Sequence, residues 1–173
     1  MMEFDDRAHD IEDELQQVRG ALLDDTIATL APAEPICLPP TATVEDAIAR
    51  MLERRQACVL VVDAEGRLTG ILTERDVLMR VAGAARDPRR TALRDVMTPN
   101  PVALTAHDRV AYAVHCMSVA GFRTVPLVDT ERRPIGIVTV SDVIHWLAQL
   151  FPEAVLNLPP GDTLKRPHEM DAG

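Results

Sequence analysis

The sequence predicts an α+β fold in which two β-α-β-β-α units, related by a pseudo-twofold axis, pack sheet to sheet. Three observations predict it. The chain repeats itself at a fixed offset of 66 residues, and each copy alternates helical and extended periodicity in the same order. Each copy, at roughly 60 residues, is also too small to bury much surface alone.

The repeat runs from residue 35 to 78 against 101 to 144 without a gap. Pro35, Leu38, Val44, Ala47, Met51, Val59, Val62, Asp63 and Glu65 recur as Pro101, Leu104, Val110, Ala113, Met117, Val125, Val128, Asp129 and Glu131. Ordinary residue frequencies would supply about three identities over such a span. The octads GILTERDV (70–77) and GIVTVSDV (136–143) superpose at the same offset.

The first element of each copy is a short extended piece, PICL or PVAL. Apolar residues at 44, 47, 48, 51 and 52, matched by 110, 113, 114 and 117, then make one face of a helix. The β-branched runs CVLVVD and TVPLVD are too short for helices; polar turns, AEGR and TERR, join them to LTGIL and PIGIV as antiparallel hairpins. A second helix follows, with Val77, Leu78 and Val81 in one copy and Val143, Ile144, Leu147 and Leu150 in the other. The expected organisation is an amphipathic extension at 1–25, a first repeat at 26–84, a linker at 85–94, a second repeat at 95–152 and a tail at 153–173 whose prolines, glycine and charges need not fold. Ile11, Leu15, Val18 and Leu22 give the extension a helical stripe, for covering its own pair, a dimer seam or another protein.

Composition removes several function classes. A formal charge of −9 opposes non-specific nucleic-acid binding, and one Trp, one Tyr and three Phe leave little for base stacking. No apolar run approaches the roughly 20 residues that span a bilayer, and the acidic start MMEFDDRAHDIEDE is unlike a secretory leader, so a cytoplasmic protein without membrane association is expected. Cys37, Cys58 and Cys116 form no CxxC pair and suit reduced, packed thiols. His107, His115 and His145 fall at no metal-ligand spacing, and nucleophile elbow, P-loop and GxGxxG are all missing. No catalytic residue, metal or required cofactor is expected.

Each octad admits two compatible readings. Thr73 and Thr139 start a helix with Asp76 and Asp142 three residues on, the spacing of a capping box. A helix start also attracts phosphate, and an ionised carboxylate accepts two hydrogen bonds from a vicinal diol such as that of ribose.

The duplicated unit, with both octads and the run VMTPNPVAL at 96–104, resembles a tandem pair of cystathionine-β-synthase-type (CBS) domains over residues 26–150. The resemblance implies a regulatory module that senses adenosine nucleotides, most often as a disc-like homodimer. It further implies AMP, ADP or ATP as ligand, with ribose on the octad aspartate, adenine in an apolar slot and phosphates on basic or hydroxyl groups. In such pairs each cleft is built crosswise. One cleft is then expected to combine Thr73, Arg75 and Asp76 with Thr98, Asn100, Val102, Phe122 and Arg123. The other is expected to combine Thr139, Ser141 and Asp142 with Ile36, Cys37, Ala57 and Cys58. Gln56-Ala57-Cys58 stands where the second repeat has Phe122-Arg123-Thr124, so only the Asp76 cleft gains a guanidinium from that position. That cleft is expected to prefer an anionic nucleotide.

The stretch RVAGAARDPRRTALR (80–94) is an inter-repeat linker with turn-forming residues, or a source of arginines that reach the phosphates. The competing reading of the whole chain is a constitutive dimeric scaffold whose aspartates only cap helices. A protein partner, if one is engaged, is not specified by the sequence.

Overall fold

The structure, a computed structural model, describes residue 16 and residues 18–150. Ile11 and Leu15 of the predicted extension, residues 151–152 of the second unit and the 153–173 tail lie outside the described residues. Residues 18–24 are helical, and Ala21 and Leu22 pack against the core of the second repeat.

The first repeat runs β1 (Cys37–Leu38), α1 (Val44–Arg54), β2 (Cys58–Val62), β3 (Leu68–Thr73) and α2, a single turn at Glu74–Asp76 that continues as a π-helix, Val77–Ala82. β4 (Thr98–Pro99), α3 (Val110–Val119), β5 (Thr124–Val128), β6 (Pro134–Thr139) and α4 (Val140–Leu150) follow. The predicted α+β class and unit order are those observed, with three local differences.

The second copy's PVAL is not a strand. In the first copy Leu60 N–H donates to Ile36 C=O at 2.8 Å, whereas Pro126, 66 residues on, has no N–H to donate. Leu104 still bridges Leu127 in parallel, but the ladder has lost its preceding rung. The second difference is the π-helix. Gly83 N–H reaches back five residues to Leu78 C=O at 2.9 Å, and a Cβ there would lie 3.0 Å from Met79 C=O, so the wide turn closes over a residue without a side chain. Third, Leu52 is 75% exposed although it shares the predicted apolar stripe, while Val44, Ala47 and Met51 are buried.

Strand alternation divides the core into three layers. Val59, Val61 and Leu72 face α1 and α2, whereas Cys58, Leu60, Leu68 and Ile71 meet Val128 and Ile137 of the other hairpin. Leu68 and Ile71 share a face despite their odd spacing because the β2–β3 register shifts between Val61 and Val62. An equivalent shift lies between Leu127 and Val128. The middle layer is the predicted sheet-to-sheet contact.

Edges are exchanged between repeats. β4, which leads into the second repeat, pairs with β3 of the first, and Ala33, which leads into the first, bridges Ile137 in β6 of the second. Buried side chains follow: Leu93 and Val96 complete the first helical core, while Ile27 and Leu30 complete the second. Fully buried Val or Leu side chains of this kind contribute about 1.5–3 kcal/mol each.

Candidate functional site

The octads fold as their composition dictates. β3 and β6 end on threonine, and each aspartate three residues later turns back onto it. Asp76 Oδ2 accepts from Thr73 N–H at 3.0 Å and from its hydroxyl at 2.7 Å, and Thr73 Oγ1 accepts from Asp76 N–H at 3.3 Å. Asp142 Oδ2 does the same with Thr139 at 2.7 and 2.8 Å, with 3.3 Å for the return bond. The capping box is therefore present in both repeats. It consumes one carboxylate oxygen and leaves Oδ1.

The two Oδ1 atoms differ. Asp76 Oδ1 lies 3.3 Å from Arg80 Nη2. The same guanidinium donates to Thr98 Oγ1 at 3.1 Å and to Val96 C=O at 2.8 Å, which joins the first octad to the segment leading into the second repeat. Asp142 Oδ1 has no hydrogen-bond or ion-pair partner among the described residues. Asp142 is one of the residues lining a recess of about 250 Å³, with Thr29, Leu30, Ala31, His145, Trp146 and Gln149. Residues 29–31 stand at the start of the first repeat as 95–97 stand at the start of the second, so each aspartate faces the opening segment of the opposite copy.

Among the residues expected at the first cleft, Thr73, Asp76 and Thr98 are brought together, with Ile71 pairing Thr98 across β3 and β4. Arg75 and Asn100 are exposed, and Asn100 turns in the left-handed region (φ 46°) with its N–H on Thr69 C=O. Val102 and Phe122 present apolar surface, and Arg123 is exposed beside the second octad, its C=O accepting from Val140 N–H. No described hydrogen bond or ion pair joins Phe122 or Arg123 to Asp76.

At the second cleft Ile36 is buried under the sheet, Cys37 is exposed on β1, and Ala57 C=O accepts from Glu74 N–H. Cys58 is buried, and burial, reinforced by the negative charge of Glu74, pushes its thiol up to about 12. It is a packing group rather than a nucleophile. Partial desolvation by neighbouring chain also raises the Cys37 thiol, with the negative charge of Glu34 adding to it. Ser141 is exposed on the first turn of α4. Gln56 Nε2 donates to Glu34 C=O at 2.8 Å, while its buried Oε1 has no partner among the described residues and can accept from an N–H.

Arg80 entered the sequence reading only among the 80–94 arginines that could reach the phosphates, and Trp146 and the 29–31 segment escaped it. The signal for Arg80 was its place one helical turn beyond Asp76, and Trp146 is its equivalent 66 residues later. Among the described residues no cluster of three His, Cys, Asp or Glu side chains suits a metal ion, and no helix is long and apolar enough to cross a membrane.

Similarity to known proteins agrees with this architecture. The CBS domain family matches residues 27–83 and again 93–149. The chain is 30% identical over 133 residues to the CBS domain-containing protein CBSCBSPB1 of Arabidopsis thaliana, covering 76% of this chain and 24% of that one. It is 31% identical over 106 residues to the uncharacterized protein MK0525 of Methanopyrus kandleri, covering 61% and 54%. The chain thus spans about a quarter to half of these relatives' length. Among solved structures, the CBS domain pair of MJ0100 in complex with 5'-methylthioadenosine and S-adenosyl-L-methionine superposes with a TM-score of 0.65 at 23% identity, over 72% of this chain and 97% of that one. CBSX2 in complex with AMP gives 0.61 at 22%, over 72% and 97%. The cytosolic domain of the Mg2+ channel MgtE in complex with ATP gives 0.54 at 31%, over 65% and 44%. With the duplicated unit, the exchanged edges and two separate family matches in agreement, the chain belongs to the CBS domain family and carries that domain twice in tandem.

Proposed function

We propose that this CBS pair is a cytoplasmic, non-enzymatic regulator that binds AMP, ADP or ATP in its two inter-repeat clefts and signals through dimer geometry or a partner protein. The observation that carries it is the placement of Asp76 and Asp142 at equivalent points, each opposite the lead-in segment of the other repeat. Their carboxylates are the groups a ribose diol requires. The remaining contacts are those expected from the sequence: Arg75, Thr98, Asn100, Val102, Phe122 and Arg123 at the Asp76 cleft, and Ile36, Cys37, Ala57, Cys58, Thr139 and Ser141 at the Asp142 cleft. Similarity to pairs crystallised with AMP, ATP and S-adenosylmethionine supports the ligand class.

A homodimer fits the outer helical faces. Leu52 on α1, Leu78 and Met79 on α2, Val119 on α3 and Ile144 on α4 are all more than half exposed, an apolar surface that a second copy would cover. A ligand changes such an assembly only by binding one arrangement more tightly, typically by about 1–3 kcal/mol.

The complete capping boxes favour a second reading, a constitutive scaffold with no ligand. Thermal unfolding with AMP, ATP, NAD and S-adenosylmethionine separates the two. Ligand at one hundred times its Kd adds about 2.7 kcal/mol, a rise of roughly 5–10 °C. Loss of that rise in Asp76→Ala and Asp142→Ala variants, larger in D76A for anionic nucleotides, is the expected result. No rise with any adenosine compound would leave the scaffold.

A further inference from the structure

The Asp76 carboxylate carries a cation, and among the described residues the Asp142 carboxylate has none. Arg80 lies on Asp76 Oδ1 at 3.3 Å and is tied to Val96 C=O and Thr98 Oγ1 at 2.8 and 3.1 Å. Asp76 Oδ2 is already committed to Thr73, so the guanidinium covers the oxygen a diol needs. The side-chain exposures, 14% for Asp76 and 44% for Arg80, place the arginine on the solvent side of the carboxylate. Arg80 belongs to the π-helical stretch, whereas its equivalent in the second repeat, Trp146, lies in a regular α-helix and donates its indole N–H to Asp25 Oδ2 at 3.0 Å. Among the described residues Asp142 Oδ1 therefore has no counterpart of the Arg80 contact.

We propose that Arg80 is a latch on the Asp76 cleft, displaced by the ribose and recaptured by phosphate, so that this cleft selects phosphorylated adenosine compounds while the Asp142 cleft accepts adenosine compounds with or without phosphate. This rests on the reading of both clefts as adenosine sites. To admit a diol, the guanidinium must give up three contacts and move its charge. A phosphate on the same ligand replaces those contacts with charge-assisted, bidentate bonds. Unphosphorylated adenosine replaces none of them, and a sulfonium-bearing compound adds repulsion. No partner for Arg80 other than Asp76, Val96 and Thr98 is present among the described residues.

Calorimetric titration of the full chain with AMP and with adenosine tests the latch, in an Asp142→Ala background that isolates the Asp76 cleft. Arg80→Met should weaken AMP roughly tenfold, the scale of a lost charge-assisted pair, and tighten adenosine roughly threefold, the scale of a released exposed ion pair. Arg80→Lys keeps the charge without the fork and should retain most of the AMP preference while tightening adenosine; it also serves if R80M does not fold. Equal shifts for both ligands, or none, would overturn the latch while leaving the cleft an adenosine site. If D142A binds neither ligand, the reading of the Asp76 cleft falls and the latch with it.

Discussion

Replacing Leu93 by alanine tests the exchange of edges between repeats. Leu93 belongs by sequence to the segment between the repeats, yet it is fully buried with Val44, Ala47 and Val81 in the first core. Three buried carbons at about 0.8 kcal/mol each give roughly 2.4 kcal/mol, and the cavity left behind raises the cost to about 3 kcal/mol. An ordinary solvated linker position would cost within about 0.5 kcal/mol. Urea unfolding followed by circular dichroism should show that loss, with a melting temperature lowered by roughly 6–12 °C. Ile27→Ala is the matched experiment. Ile27 opens the first repeat but packs with Trp146 in the second core, so this variant should shift the native emission of the chain's single tryptophan while Leu93→Ala leaves it unchanged. A cost below about 1 kcal/mol at Leu93, or native emission unaltered by Ile27→Ala, would refute the crosswise core.

Other outcomes follow from local geometry. Arg55 ends α1 with φ 53°, and Gly121 occupies the equivalent place in the second repeat at φ 70°, so Arg55→Gly should stabilise the fold by up to about 1 kcal/mol in chemical denaturation. A Cβ on Gly136 would lie 3.1 Å from Pro32 Cβ, a rigid ring next to Ala33, which is bonded both ways to Ile137; Gly136→Ala should cost about 1–3 kcal/mol by the same measurement. Cys58 keeps its proton in the folded chain from the ordinary value of 9.0 up to about 12, whereas the unfolded chain loses it. Stability conferred by the protonated thiol is therefore intact below pH 9 and declines as pH rises, by at most about 1.4 kcal/mol per pH unit. Cys58→Ala should lack that decline in unfolding titrations, and native thiol labelling should reach exposed Cys37 before Cys58.

The sequence by itself determined the duplication, the order of elements and the capping chemistry of the octads, because these depend on residues within one or two helical turns or on strand alternation. Thr73 with Asp76 and Thr139 with Asp142 could be read directly, since a capping box spans only three residues. Even the missing strand near Val102 was written in Pro126, once its hydrogen-bonding neighbour was known. Only the tertiary structure decided which repeat each lead-in segment completes. Leu93 and Ile27 are both apolar residues beside turns, and nothing local distinguishes packing on one's own unit from packing on the other. The occupancy of Asp76 by Arg80, with no equivalent at Asp142 among the described residues, was decided at the same level. The Arg80 guanidinium is placed by Val96 C=O and Thr98 Oγ1, 16 and 18 residues further along the chain, and these reach it only when β4 pairs with β3 across the repeat boundary.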